Sequence, residues 1–231
     1  MKKSNINSVS QRLSKRGAGR PKTNQMQGEE LKEHVVSASS LVYSEYGYRN
    51  TSVAKIIETA GISRPLFYRL FKSCYEVIDI IVARANAALF NALDQVMEKE
   101  ENALSMIDSG IDIYFEWCRN YGPVVGPIYR EIADPESPAY AHRNQLVAKM
   151  VKQLNAGLER QKPTKLPPMF IESLLVVTEH IGSSTFWPKP KAEAIIEQNK
   201  AIVRRIVMAA LANEEESEVV PSLDTLCIPS K

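Results

Sequence analysis

Gly61 divides the stretch Thr51–Phe71 into two short apolar patterns, and this punctuation restricts the chain more than any other feature. Before it, Val53, Ile56, Ile57 and Ala60 share one face of a helix. Thr51 and Ser52 place hydroxyls where an N-cap belongs. Glycine tolerates the left-handed backbone of a helix exit, so Gly61 ends that helix. Ile62 plugs the corner, Ser63 offers a second cap, and Pro65 falls in a first turn, where its missing N–H costs nothing. Phe67 and Phe71, at i and i+4, mark the buried side of the second helix. Arg64, Leu66, Tyr68, Arg69 and Lys72 are left for the outside. The pattern is that of a helix-turn-helix, whose second helix can enter a DNA major groove. An ordinary helical hairpin of a bundle would show the same pattern.

A longer match separates these readings. Val35-Val36 with Ala38 and Ser39, Val42-Tyr43, Gly47-Tyr48, Thr51-Ser52-Val53, Ile56, Ala60-Gly61-Ile62-Ser63, Phe67-Tyr68, Phe71-Lys72-Ser73 and Glu76-Val77 resemble, without a gap, the DNA-binding domain of TetR-family (TetR/AcrR) transcriptional regulators. There are departures. Pro65 stands where the family usually has a small residue and Leu66 where it often has Thr or Ser, while Leu70 and Cys74 replace His and Lys. Three of these touch the reading helix, so the preferred operator does not carry over from relatives.

Chemistry and the matching positions together assign roles. Thr51, Ser52 and Ser63 put short hydroxyls at helix starts, where phosphate can be bound. Arg64 and Arg69 are candidates for base edges, since arginine can grip guanine through two hydrogen bonds. Leu66 faces a thymine methyl, and Tyr68 and Lys72 clamp phosphate. Residues 1–28 hold seven Lys or Arg and no acid, so the formal net charge of +2 hides a basic arm. This arm is expected to be disordered. Its Arg16-Gly-Ala-Gly-Arg20-Pro21-Lys22 segment offers Arg16, Arg20 and Lys22 to a minor groove. Its Gly19-Arg20-Pro21 core resembles an AT-hook, with Ala18 in place of that motif's first Arg.

The rest reads as helices. The first runs over 29–46, with Leu31, Val35, Ala38, Val42 and Tyr46 on its apolar face and Gly47 at its end. Ser73 and Glu76 form a capping box that opens a long helix to about Met97. Further helices are expected over 102–120, 128–132, 138–160, 169–186 and 191–213, with the Gly122-Pro123 and Gly126-Pro127 steps breaking the chain. The reading is therefore all-α: a three-helix DNA-binding domain over 29–73, and a larger helical ligand-binding and dimerisation domain over 74–213. A basic arm precedes them, and an acidic tail over 214–231 is expected to be mobile. Helices 169–186 and 191–213 are apolar on much of their circumference, as for a subunit interface or an internal core. The resemblance implies that they form a four-helix bundle with the same pair of a second subunit. It also implies that the helix from Ser73 passes movement from a ligand pocket to the DNA head.

A ligand pocket between helices would draw on Met106, Tyr114, Trp117, Cys118, Tyr121, Tyr129, Tyr140, Phe170, Glu179 and Trp187. Their aromatic character favours an apolar or aromatic effector. No cofactor or metal is expected: His142 and His180 lack ligand spacing, and no nucleophile–base set or phosphate loop argues for an enzyme. Three scattered cysteines, no long apolar run and no apolar leader lead to the expectation of a cytoplasmic protein without membrane contact. The expected function is a sequence-specific, homodimeric, effector-released repressor on an inverted-repeat operator in double-stranded DNA. The alternative is an architectural DNA binder without a small-molecule effector.

Overall fold

The computed structural model describes residues 28–97, 103–159 and 166–213. Among these residues it contains eight helices and no strand. They are α1 (Glu29–Asn50), α2 (Val53–Ala60), α3 (Arg64–Leu70), α4 (Cys74–Met97), α5 (Ala103–Glu131), α6 (Pro138–Glu159), α7 (Pro168–Phe186) and α8 (Glu193–Asn213). The expected basic arm, with Arg16, Arg20 and Lys22, and the acidic tail lie outside the described residues.

Local chemistry sets the N-terminal elements. Ser52 caps α2 by accepting from the Lys55 N–H, and Ser63 caps α3 by accepting from the Leu66 N–H. Gly61 has φ 65° and ψ 40°, the left-handed exit that its lack of a side chain permits. Ser73 accepts from the Glu76 N–H, while the Glu76 carboxylate takes the Lys72 N–H at 2.6 Å, one residue earlier than in a standard capping box. The first helix differs from expectation. Gly47 bends it with φ 71° rather than ending it, and one more turn runs to Asn50. Tyr46, expected on the apolar face, is 40% exposed because the bend carries it outward, beneath the Lys55 ammonium.

α5 is the largest correction. The two Gly-Pro steps do not break it; it continues through Pro123 and Pro127 to Glu131 and absorbs the short helix expected over 128–132. Each proline removes a ladder donor and costs about 3 kcal/mol in a helix interior. Burial of Val124, Val125 and Ile128 offsets this, at about 1.5–3 kcal/mol per side chain. α5 is the central element, packed against α1, α4, α6, α7 and α8. One buried cluster runs from Val35, Phe67 and Phe71 through Val77, Ile78 and Val82 of α4 to Phe115, Phe186 and Val203. The N-terminal helices and the larger unit therefore share a core through α4.

Ion pairs fasten α8 to α5 at the core's edge. Arg204 bridges Asp108 and Asp112, Lys200 adds a second contact to Asp112 at 3.0 Å, and Arg119 grips Glu193. Burial works to raise the Asp112 pKa, but Lys200 and Arg204 outweigh it and hold the carboxyl below the usual carboxylate range. A lowered folded-state pKa adds stability above the unfolded value of about 4, and that stability is lost as pH falls through the folded value. Acid titration of the melting temperature should therefore fall less steeply below about pH 4 in Asp112→Asn than in the parent. Gly126 supplies a second test. A Cβ there would overlap the Trp187 ring at Cγ and Cδ1. Gly126→Ala is expected to lower stability by about 1–3 kcal/mol in urea unfolding, part of which Trp187→Ala in the same chain should recover.

Candidate functional site

The α2–α3 unit presents its polar side away from Phe67 and Phe71, which are 0% and 2% exposed. Arg64, Arg69 and Lys72 are exposed, Tyr68 is half exposed, and Leu66 lies between them partly covered. The three cations make no ion pair with any described residue. Ser52 and Ser63 accept from backbone N–H groups through their oxygens, which leaves each hydroxyl proton for an outside acceptor. Thr51 is different. It is buried, and its hydroxyl donates to the Gly47 carbonyl at 2.7 Å, so it closes the α1 bend instead of meeting phosphate. Sequence reasoning passed over Lys55, whose ammonium reaches the Asn50 carbonyl at 2.8 Å and braces this corner over Tyr46.

The segment 35–79 matches the family model of bacterial regulatory proteins of the tetR family. The curated nucleoid occlusion factor SlmA of Mannheimia succiniciproducens is 23% identical over 79 residues, a match covering 34% of this chain and 37% of that protein. The chain thus spans little more than a third of that relative's length. Among solved structures, a Pseudomonas aeruginosa protein described as a transcriptional regulator superposes with a TM-score of 0.65 at 12% identity, over 84% of this chain and 97% of that one. The fatty acid degradation regulator FadR of Bacillus halodurans gives 0.62 at 13% identity, over 78% and 97%. The N-terminal helix-turn-helix segment is thus similar to tetR-family regulatory proteins, and the described chain shares the all-helical fold of these solved structures.

Between α4, α5, α6, α7 and α8 lies a cavity of about 100 Å³. Of the ten expected pocket residues, Met106, Tyr114 and Glu179 line it. Trp117 and Tyr129 line a smaller adjoining cavity of about 30 Å³, which shares Tyr114 and Glu179 with the first. The other five lie elsewhere. Cys118 is buried behind Tyr114, and burial pushes its thiol well above its ordinary value. Tyr121 faces a cleft between α1 and α5. Tyr140 is exposed, Phe170 touches neither cavity, and Trp187 covers Gly126 beneath the Arg130 guanidinium. Leu, Ile, Val and Met side chains make up most of the wall. Apart from Met106 they went unnamed, because an aliphatic at helical spacing looks the same in core or cavity.

Arg143 was also missed. It is largely buried and bonds Glu179 through Nε and Nη2 and Glu172 through Nη1, at 3.0–3.2 Å. Burial raises the Glu179 pKa above its ordinary value, and Arg143 offsets this only in part.

The junction between head and cavity unit rests on Glu131, at the end of α5. Its carboxylate accepts from the Tyr43 hydroxyl at 2.9 Å, the Tyr48 N–H at 2.7 Å and the Ser137 hydroxyl at 3.0 Å. Burial, together with the adjacent carboxylate, raises the Tyr43 pKa and keeps it a neutral donor. A Cβ on Gly47 would lie 2.8 Å from Glu131 Oε1, so the bend leaves just enough room for the carboxylate. Outside it, Arg49 grips Asp134 through two bonds. Glu131→Ala leaves three donors without their charged acceptor. It is expected to cost about 3 kcal/mol in chemical unfolding, and Tyr43→Phe about 1 kcal/mol.

Proposed function

We propose that the protein is a homodimeric repressor released from an inverted-repeat operator by a small apolar effector. The observation carrying this reading is the combination, on one continuous core, of a free basic reading face and a separate apolar cavity. α4 starts beneath the reading helix and lines the cavity with Leu89, Leu93 and Val96. An occupant that wedges α4 from α5 changes where the head sits. The shift is bounded by the ligand's differential affinity for the two arrangements. An architectural binder has no use for such a cavity, which places that alternative second. No catalysis is assigned to the chain, and turnover of any candidate compound would overturn that part.

The dimer is assigned to α7 and α8. Met169, Val176, Ile195, Ile202 and Ile206 are all more than a third exposed along these two helices. An apolar stripe of this size on a soluble helix pair marks an interaction surface. A two-fold axis through it pairs the two reading helices and requires a palindromic site. In each subunit Arg64 and Arg69 are assigned to base edges, and Leu66 to a thymine methyl. Ser52, Ser63, Tyr68 and Lys72 take phosphate, and the arm with Arg16, Arg20 and Lys22 takes the flanking minor groove.

Selection of bound DNA from genomic and random fragments at two salt concentrations should return an inverted repeat that survives the higher salt. Binding without a motif, collapsing steeply with salt, would favour the architectural reading. Arg64→Ala should lose about 1–3 kcal/mol of discrimination at one base position of each half-site, read by competition with mutated operators. Val176→Glu with Ile202→Glu should sediment as a monomer and lose the operator. A variant that stays dimeric would remove α7 and α8 from the interface.

A further inference from the structure

The cavity wall has an unusual balance of hydrogen-bonding groups. Its side-chain hydroxyls are already committed as donors: Tyr114 donates to the Glu179 carbonyl at 3.4 Å and Thr178 to the Leu174 carbonyl at 2.9 Å. The one charged residue on the wall is Glu179. Both of its bonds from Arg143 arrive at Oε2, and no described residue donates to Oε1. Arg143 is not part of this wall and spends one N–H of each of Nε, Nη1 and Nη2 on the two carboxylates. With both carboxylates ionised, the Glu172–Arg143–Glu179 cluster carries one net negative charge. An occupant therefore meets apolar walls, acceptors at Glu179 Oε1 and the two hydroxyl oxygens, and no uncommitted donor on the wall itself.

Building on the effector-released reading above, we propose that the effector is a small apolar amine, with its cationic N–H group on Glu179 Oε1 and its hydrocarbon against the Leu, Ile and Met wall. A buried cation is costly unless paired, and Glu179 is the pairing group already in place. A carboxylate of the same length would meet the Glu179 carboxylate and no uncommitted donor on the wall. The head of a carboxylate could instead lodge in the outer polar pocket of about 210 Å³ that holds His142 and Lys149 and is separated from the cavity by Leu146. Of these two, Lys149 sits over the Phe90 ring and His142 is paired with Asp79. The cavity's size selects a short chain or a single ring.

The experiment compares octylamine, 1-octanol and octanoate on the full-length protein at neutral pH, by calorimetry and by release of selected operator DNA. Octylamine should bind about tenfold or more tighter than octanol, octanoate should bind more weakly than octanol, and octylamine should release the operator at the lowest concentration. Glu179→Gln should bring octylamine to the octanol level and leave octanol unchanged. Leu174→Trp, which fills the cavity, should abolish all three. The rank order in the parent protein is decisive even if a variant fails to fold. Octanol equal to or tighter than octylamine overturns the amine assignment while leaving the effector cavity in place. So does tightest binding by octanoate that is lost in Lys149→Gln. Failure of all three to bind, or binding without any effect on operator affinity, overturns the effector reading and the amine with it.

Discussion

One carboxylate, that of Glu131, holds the two halves of the molecule in register. It ends α5, takes the Tyr43 hydroxyl and the Tyr48 N–H from either side of the α1 bend, and receives the Ser137 hydroxyl from the start of α6. Hydrogen bonds to an ionised acceptor are about twice as strong as neutral ones. Three of them on one partly buried group fix an angle as well as a distance. The orientation of α3 follows from this junction. α2 leaves α1 at the bend closed by Thr51, and α3 leaves α2 at Gly61. A tilt at Glu131 is carried through both corners to Arg64 and Arg69.

The larger unit divides its polar and apolar surfaces by helix face. α8 meets α5 through Arg204, Lys200 and Arg119 at the margin, buries Ile196, Val203 and Val207 inward, and leaves Ile195, Ile202 and Ile206 outward. The ion pairs are partly exposed, so their contribution to stability is small. Their geometric consequence is larger, because they set the rotation of α8 about its own axis. That rotation decides which isoleucines face the core and which face out.

The N-terminal helices were legible because their signals are local. Ser52, Gly61, Ser63 and the Phe67–Phe71 pair act within four residues of themselves, and the structure uses each as its chemistry suggests. The misreadings share one cause, partners far along the chain. Pro123 and Pro127 look like breaks until Trp187 and the surrounding helices close over α5. Thr51 looks like a phosphate ligand until the bend at Gly47 puts a carbonyl against its hydroxyl. Trp187 and Tyr121 look like pocket residues because aromatic character says nothing about which side of a helix meets a void. Glu131 and Arg143 drew no notice, since a lone Glu or Arg in a helix resembles a solvated surface residue. Their partners lie 83–88 residues away for the α1 contacts of Glu131 and 29–36 residues away for Arg143.

α5 touches both the cavity, through Met106 to Tyr114, and the junction, through Glu131, so it resembles a rod between two fixtures. Pro123 and Pro127 remove two rungs, four residues apart, from its ladder, leaving the carbonyls of Arg119 and Pro123 without their usual N–H partners. A helix resists bending in proportion to its intact rungs, so its stiffness is lowest between Arg119 and Pro127. Trp187, seated on Gly126 with Arg130 above it, splints this soft section from outside. The flexural rigidity of α5 is thus set at mid-span by a side chain borrowed from the α7–α8 connection, the same connection that joins the two helices with an outward apolar stripe.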